Sequence, residues 1–142
     1  MCQPQPPLVV SHCFASSTLN GDEDTFGVQF VIDGREDTCW NSDGSAESTL
    51  QFTLSHCSAV GAVEIIFQGG FVGKEMRISG FATEACGGVP QLLGAFQPED
   101  CNERQRFSLP AGGPLVKVLQ LYFSGSSDFY GRIVIYAVQV FP

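Results

Sequence analysis

The chain has 142 residues, 44% of them apolar and only 15% charged, with a formal net charge of −8. A chain of this length buries roughly 68–70% of its unfolded surface, so one core forms without metal or disulfide, and the apolar share excludes a disordered chain. Residues 1–73 hold nine acids against one base, Arg35, whereas residues 74–142 hold six of each; an acidic half repels nucleic-acid phosphates and anionic headgroups, so neither is an expected ligand.

In chain order, the opening MCQPQPPLVV has no basic residue and only a three-residue apolar run, so it does not read as a secretory signal. No apolar stretch approaches the ~20 residues that a membrane span requires. An intracellular protein, nuclear or cytoplasmic, is expected, with residues 1–7 flexible. Residues 18–25 read as a loop: Asn20-Gly21 is a tight-turn dipeptide, followed by the acidic run Asp22, Glu23 and Asp24. Asp33-Gly34 opens a second loop, residues 33–37. There Asp33, Glu36 and Asp37 are oxygen donors of the type calcium takes, but a turn with two solvated charges explains them as well. Trp40, the only tryptophan, follows a strand entry and reads as a core anchor rather than a stacking platform.

The strand candidates are short and rich in β-branched or aromatic residues. Leu50, Phe52 and Leu54 alternate with Gln51 and Thr53, which predicts one buried and one wet face. Residues 60–67 and 116–123 are more continuously apolar, as central strands are. Residues 76–81, 92–96 and 106–109 add three more, and residues 133–141 form the last. Between them lies the loop of residues 68–75, where Gly69-Gly70 permits unusual backbone angles and would display Phe71 as a partner-contact anchor, with core packing the other reading because large apolar residues are usually inside. Residues 86–90 and 111–114 read as plain connectors. Asp128 and Arg132 flank Phe129-Tyr130-Gly131 and form a local ion pair that closes this turn, or leave Arg132 and Tyr130 to face a ligand. Eight or so strands without helical periodicity predict one all-β domain, an antiparallel jelly-roll β-sandwich with its core at about residues 15–141.

Six cysteines are present: Cys2, Cys13, Cys39, Cys57, Cys86 and Cys101. Without a signal or a C-x-x-C pair they read as reduced thiols. His12-Cys13 and His56-Cys57 contain zinc-ligand types, but neighbours on a strand point to opposite faces, so each dipeptide offers a shared site only one ligand. Hydrolase, metalloprotease and phosphate-loop signatures are absent. The expectation is a binding protein, not an enzyme, and no cofactor.

The motifs converge on one family. Ala15-Ser16-Ser17, Phe26-Gly27, Ile32-Asp33-Gly34 and Thr38-Cys39-Trp40-Asn41-Ser42 resemble the opening of a discoidin domain, the galactose-binding-like jelly roll. Phe67-Gln68-Gly69 is similar to the loop that ends a central strand there, and residues 131–136 fit the last strand. Ser-Ser-Thr-Leu-Asn at 16–20, Pro98-Glu99-Asp100 and the stretch 128–136 resemble more closely a small intracellular branch whose members act as repressor-type cofactors of an orphan nuclear receptor. The resemblance implies a protein partner, a nuclear receptor where the source is an animal, whose dimerisation, DNA binding and transactivation the protein limits. Glycan binding or assembly into another intracellular complex are the other functions found on this fold. Extracellular relatives join terminal cysteines, but Phe141-Pro142 offers Cys2 no partner. Membrane-binding relatives carry apolar loop tips where this chain has residues 20–24. Calcium-holding relatives place a glutamate where Ala137 stands.

The loops 18–25, 33–37 and 68–75 and the turn 128–130 are expected to gather at one end of the sandwich. The partner-binding residues expected there are Asp22, Glu23, Asp24, Phe71, Phe129, Tyr130 and Arg132.

Overall fold

The computed structural model describes residues 5–35, 37–45, 47–83 and 89–142. Among them nine strands occur in chain order: β1 (Val10–Ala15), β2 (Trp40–Asn41), β3 (Glu47–Ala59), β4 (Ala62–Phe67), β5 (Gly73–Phe81), β6 (Gln91–Phe96), β7 (Arg104–Ser108), β8 (Leu115–Ser126) and β9 (Val134–Phe141). They form the expected antiparallel sandwich. One sheet has the order β1-β3-β8-β5-β6, the other β2-β9-β4-β7.

Alternation explains the core. Leu50, Phe52 and Leu54 of β3 are fully buried, and in the neighbouring β8 Leu121 and Leu119 stand opposite Leu50 and Phe52. β4 contributes Val63, Ile65 and Phe67 from the facing sheet, all fully buried. Each such side chain adds about 1.5–3 kcal/mol by leaving water. Phe67 meets Phe123 of β8 edge-on, with ring centroids 6.0 Å apart, and so joins the two sheets.

The seven expected strands are all found, with shifted ends. The one read at residues 60–67 begins at Ala62, because Val60 and Gly61 form the turn, where the Gly61 N–H bonds the Phe141 carbonyl. Two further strands carry no clear sequence pattern. β1 is an edge strand whose exposed Ser11, His12 and Phe14 hide its alternation, and β2 is only two residues long. The first loop is also more ordered than expected. It holds a 3-10 turn at Leu19–Gly21 and a short helix, α1 (Glu23–Phe26), and a second 3-10 turn follows at Val28–Ile32. Val28 and Val31, one 3-10 repeat apart, are both buried in the core.

Antiparallel pairing fixes which connections meet. Ala15 pairs with Leu50, Glu47 with Ser124, Gly73 with Ser126, and Asn41 with Val134. Residues 16–18, 42–45, 68–72 and 127–133 therefore share one end of the sandwich.

Candidate functional site

The loop end is built on Trp40. Its ring is fully buried, and Nε1 donates to the Ser17 carbonyl at 3.0 Å, which ties the first loop to β2. Ser42, also fully buried, bonds both backbone groups of Ile133: its N–H reaches the Ile133 carbonyl at 2.9 Å, and its Oγ accepts from the Ile133 N–H at 2.8 Å. Asp43 Oδ1 accepts from the Ser45 N–H and hydroxyl at 3.1 and 2.6 Å, and the Ser45 hydroxyl holds its carboxyl below the usual range.

The loop displaying Phe71 is pinned from the segment before β7. The Gly69 N–H donates to Asn102 Oδ1 and the Gly70 N–H to Asp100 Oδ1, both at 2.7 Å. Phe71 itself is half-buried, not the bare tip its flanking glycines suggested, because its backbone bonds Gln68 and Val134 and the Arg132 guanidinium covers its ring at 5.2 Å.

The expected Asp128–Arg132 pair is present, with Nε 3.0 Å from Oδ2. The same Oδ2 accepts from the N–H groups of Tyr130 and Arg132 at 3.2 and 3.1 Å, so one carboxylate organises the whole turn. The Arg132 side-chain bond is the chief reason that its carboxyl lies below the usual range. Gly131 has φ +79° and packs on Gly44; a Cβ there would lie 3.0 Å from the Gly44 carbonyl oxygen. This frame presents Phe129 and Tyr130 to solvent, 93% and 70% exposed, edge-to-face at 5.3 Å. Arg132 lies 5.7 Å from the Tyr130 ring, so Phe71, Arg132, Tyr130 and Phe129 form one continuous stack.

Of the expected partner-binding residues, the structure brings these four together. Asp22, Glu23 and Asp24 sit apart on α1, where Asp22 Oδ1 caps the Thr25 N–H at 3.2 Å and Glu23 and Asp24 occupy the first turn, exposed. Among the described residues no hydrogen bond or ion pair joins them to the stack. The second loop departs from the expectation: Gly34 and Arg35 lie beside β9, in a groove with Leu8, Tyr136 and Gln139.

The calcium candidates do not fit a cation. Asp33 accepts from the Arg35 N–H at 2.9 Å and the Thr38 hydroxyl at 2.6 Å, while both Asp37 oxygens take the Arg35 guanidinium at 2.8 and 2.7 Å. Glu36 lies outside the described residues, and among those described no three metal-ligating side chains gather. Cys13, Cys39, Cys57 and Cys101 are free thiols, and burial pushes the first two up in pKa. Cys2 and Cys86, with the connector that Cys86 begins, lie outside the described residues. No helix among the described residues is long and apolar enough to cross a membrane.

In sequence, the chain is 38% identical over 125 residues to the nuclear receptor 2C2-associated protein of Danio rerio, covering 88% of this chain and 86% of that one. The Homo sapiens protein of the same name is 35% identical over 125 residues, with the same coverage. No protein-family model matches. In fold, the chain is similar to chitosan-binding module 1 of a chitosanase/glucanase from Paenibacillus sp. IK-5, with TM-score 0.81 and 15% identity over 97% of this chain and 100% of that one. It is also similar to the family 32 CBM of NanJ from C. perfringens in complex with galactose, with TM-score 0.73 and 18% identity over 91% of each. An F5/8 type C domain from Bacteroides fragilis superposes with TM-score 0.76 at 13% identity, over 91% of this chain and 89% of that one. These likenesses establish the galactose-binding-like fold that the loop motifs implied.

Proposed function

This chain belongs to the family of nuclear receptor 2C2-associated proteins, and we propose that it is an intracellular interaction module that binds a nuclear receptor through its loop end. It binds rather than catalyses. By occupying the receptor it limits dimerisation, DNA binding and transactivation, in the nucleus or in the cytoplasm before the receptor enters it.

The observation that supports this reading is the aromatic pair on a rigid turn. Phe129 and Tyr130 are exposed at 93% and 70% on a turn already fixed by Asp128. Large rings held in place before binding lose little entropy on docking, which is how aromatic anchors dominate interfaces. The exposed acids Glu23 and Asp24 supply the complementary part. A receptor's DNA-contacting face is basic by necessity, because it neutralises phosphates, so an acidic, aromatic surface fits that face and competes with DNA for it.

Association between purified protein and full-length receptor, followed by surface plasmon resonance, tests this. Phe129→Ser is expected to accelerate dissociation by roughly 30-fold, as loss of a hot-spot side chain does. Neutralising Asp22, Glu23 and Asp24 together is expected to slow association and flatten its salt dependence. Unchanged kinetics in both variants would refute the loop-end reading.

A second reading, glycan binding at the same end, is favoured by one observation: exposed rings offer a sugar an apolar face to stack on, and fold neighbours include a galactose complex. Glycan-array binding that Phe129→Ser abolishes, with no receptor association, would decide for it.

A further inference from the structure

A groove of about 690 Å³ runs along β9, within the size range of small-molecule sites. Ile66 and Ala137, cross-strand partners on β4 and β9, form its floor, and Ile32, 38% exposed, stands on its wall.

The polar rim is one-sided. Two arginines line the groove, Arg35 and Arg104, and among its described lining residues there is no acid. The side-chain oxygens of both lining amides are already engaged. Asn102 Oδ1 accepts from the Gly69 N–H at 2.7 Å, and Gln139 Oε1 accepts from Arg104 Nη1 at 2.8 Å. What remains for an incoming group is their amide N–H donors and the guanidinium N–H groups that Asp37, Gln139 and Glu64 do not take, with the Tyr136 hydroxyl donating to Gln68 Oε1 at 3.2 Å. The charge balance points the same way. Arg35 answers two acids, Asp37 and Asp33, whereas the single carboxylate of Glu64 is shared by Arg104 at 3.4 Å and Arg106 at 2.7 Å, so the Arg104 side of the groove is the one an anion would meet.

We propose that the groove is a binding site for a small organic anion with an apolar body, of the aliphatic carboxylate class. The carboxylate takes the guanidinium of Arg104 and the amide donors of Asn102 and Gln139, and the hydrocarbon lies on Ile66, Ala137 and Ile32. Amide and guanidinium donors select a carboxylate over a neutral head, and a planar guanidinium matches its two oxygens. The groove includes none of Phe71, Phe129, Tyr130 and Arg132, and its test does not depend on the receptor.

Titration of isotopically labelled protein with sodium octanoate, followed by NMR, is the experiment. Octanoate is expected to shift the methyl resonances of Ile32, Ile66 and Ala137 saturably, at least tenfold more tightly than 1-octanol does. Arg104→Gln is expected to weaken octanoate about tenfold, the loss of a charged hydrogen bond, and to leave octanol unchanged. Glu64→Gln, which frees Arg104 from a competing anion, is expected to tighten octanoate. Equal affinity for octanoate and octanol, or shifts confined to other residues at millimolar octanoate, would overturn the proposal. The wild-type comparison decides the matter even if a variant fails to fold.

Discussion

At the residue scale, Trp40 and Asp128 do most to shape the loop end, by different physics. Trp40 acts by volume and by one hydrogen bond. Trp40→Ala is expected to cost about 3–5 kcal/mol in urea unfolding, since a fully buried ring leaves a cavity. Trp40→Phe keeps most of the packing but strips the Ser17 carbonyl of its donor, and about 1–3 kcal/mol is expected from that unmet acceptor alone. Asp128 acts by charge. Its folded pKa is depressed, chiefly by the Arg132 side-chain bond, so its contribution is complete above the unfolded carboxylate value of about 3.9. That contribution is lost as pH falls through the lower folded value. The amide resonances of Tyr130 and Arg132 are expected to hold constant down to about pH 4 and then to move together. Movement starting well above that would show that another group holds the turn. Phe71 illustrates what residue type leaves open: its place between glycines suggested exposure, yet Arg132, distant in the chain, covers it.

At the element scale, the strands that sequence marks most plainly have neighbours on both sides, although the edge strands β6 and β7 were legible too. β3, β4, β8 and β9 must put apolar residues inward at fixed intervals, so alternation or an apolar run marks them. β1 borders only β3, and β2 exists only because β9 offers Ile135 and Val134 as partners. Neither carries enough buried side chains to leave a pattern. The helical turns between residues 19 and 32 are too short for periodicity to show. Asn20 and Gly21 do take the left-handed angles their dipeptide implies, with φ of 58° and 65°, but inside a 3-10 turn. The turn of residues 127–133 depends in the same way on a contact that sequence does not display. Gly131→Ala is expected to cost about 1–2 kcal/mol for the left-handed backbone, and more because its Cβ would crowd the Gly44 carbonyl. Thermal unfolding measures the loss. Weaker receptor binding by the surviving folded protein would show that the aromatic pair depends on this frame.

At the scale of the whole molecule, the described cysteines add no covalent link to the sandwich. Cys13, Cys39, Cys57 and Cys101 are free, so adding a reductant is expected to leave the melting temperature unchanged; a clear drop would reveal bridges and an oxidising origin. Charge is divided on the same scale. Acids gather at α1, while Arg35 and Arg104 line a groove beside β9. The amino-acid sequence by itself determined the fold class, the central strands, the burial of Trp40, the Asp128–Arg132 pair and the family, because each rests on local pattern: alternation, turn dipeptides, charges four apart, and contiguous motifs. Only the tertiary structure decided which loops share an end, that Arg132 stacks between Phe71 and Tyr130, and that Arg35 and Arg104 line one groove from opposite halves of the chain. Those juxtapositions are set by strand order and register, which bring together residues dozens of positions apart and leave no local trace of doing so.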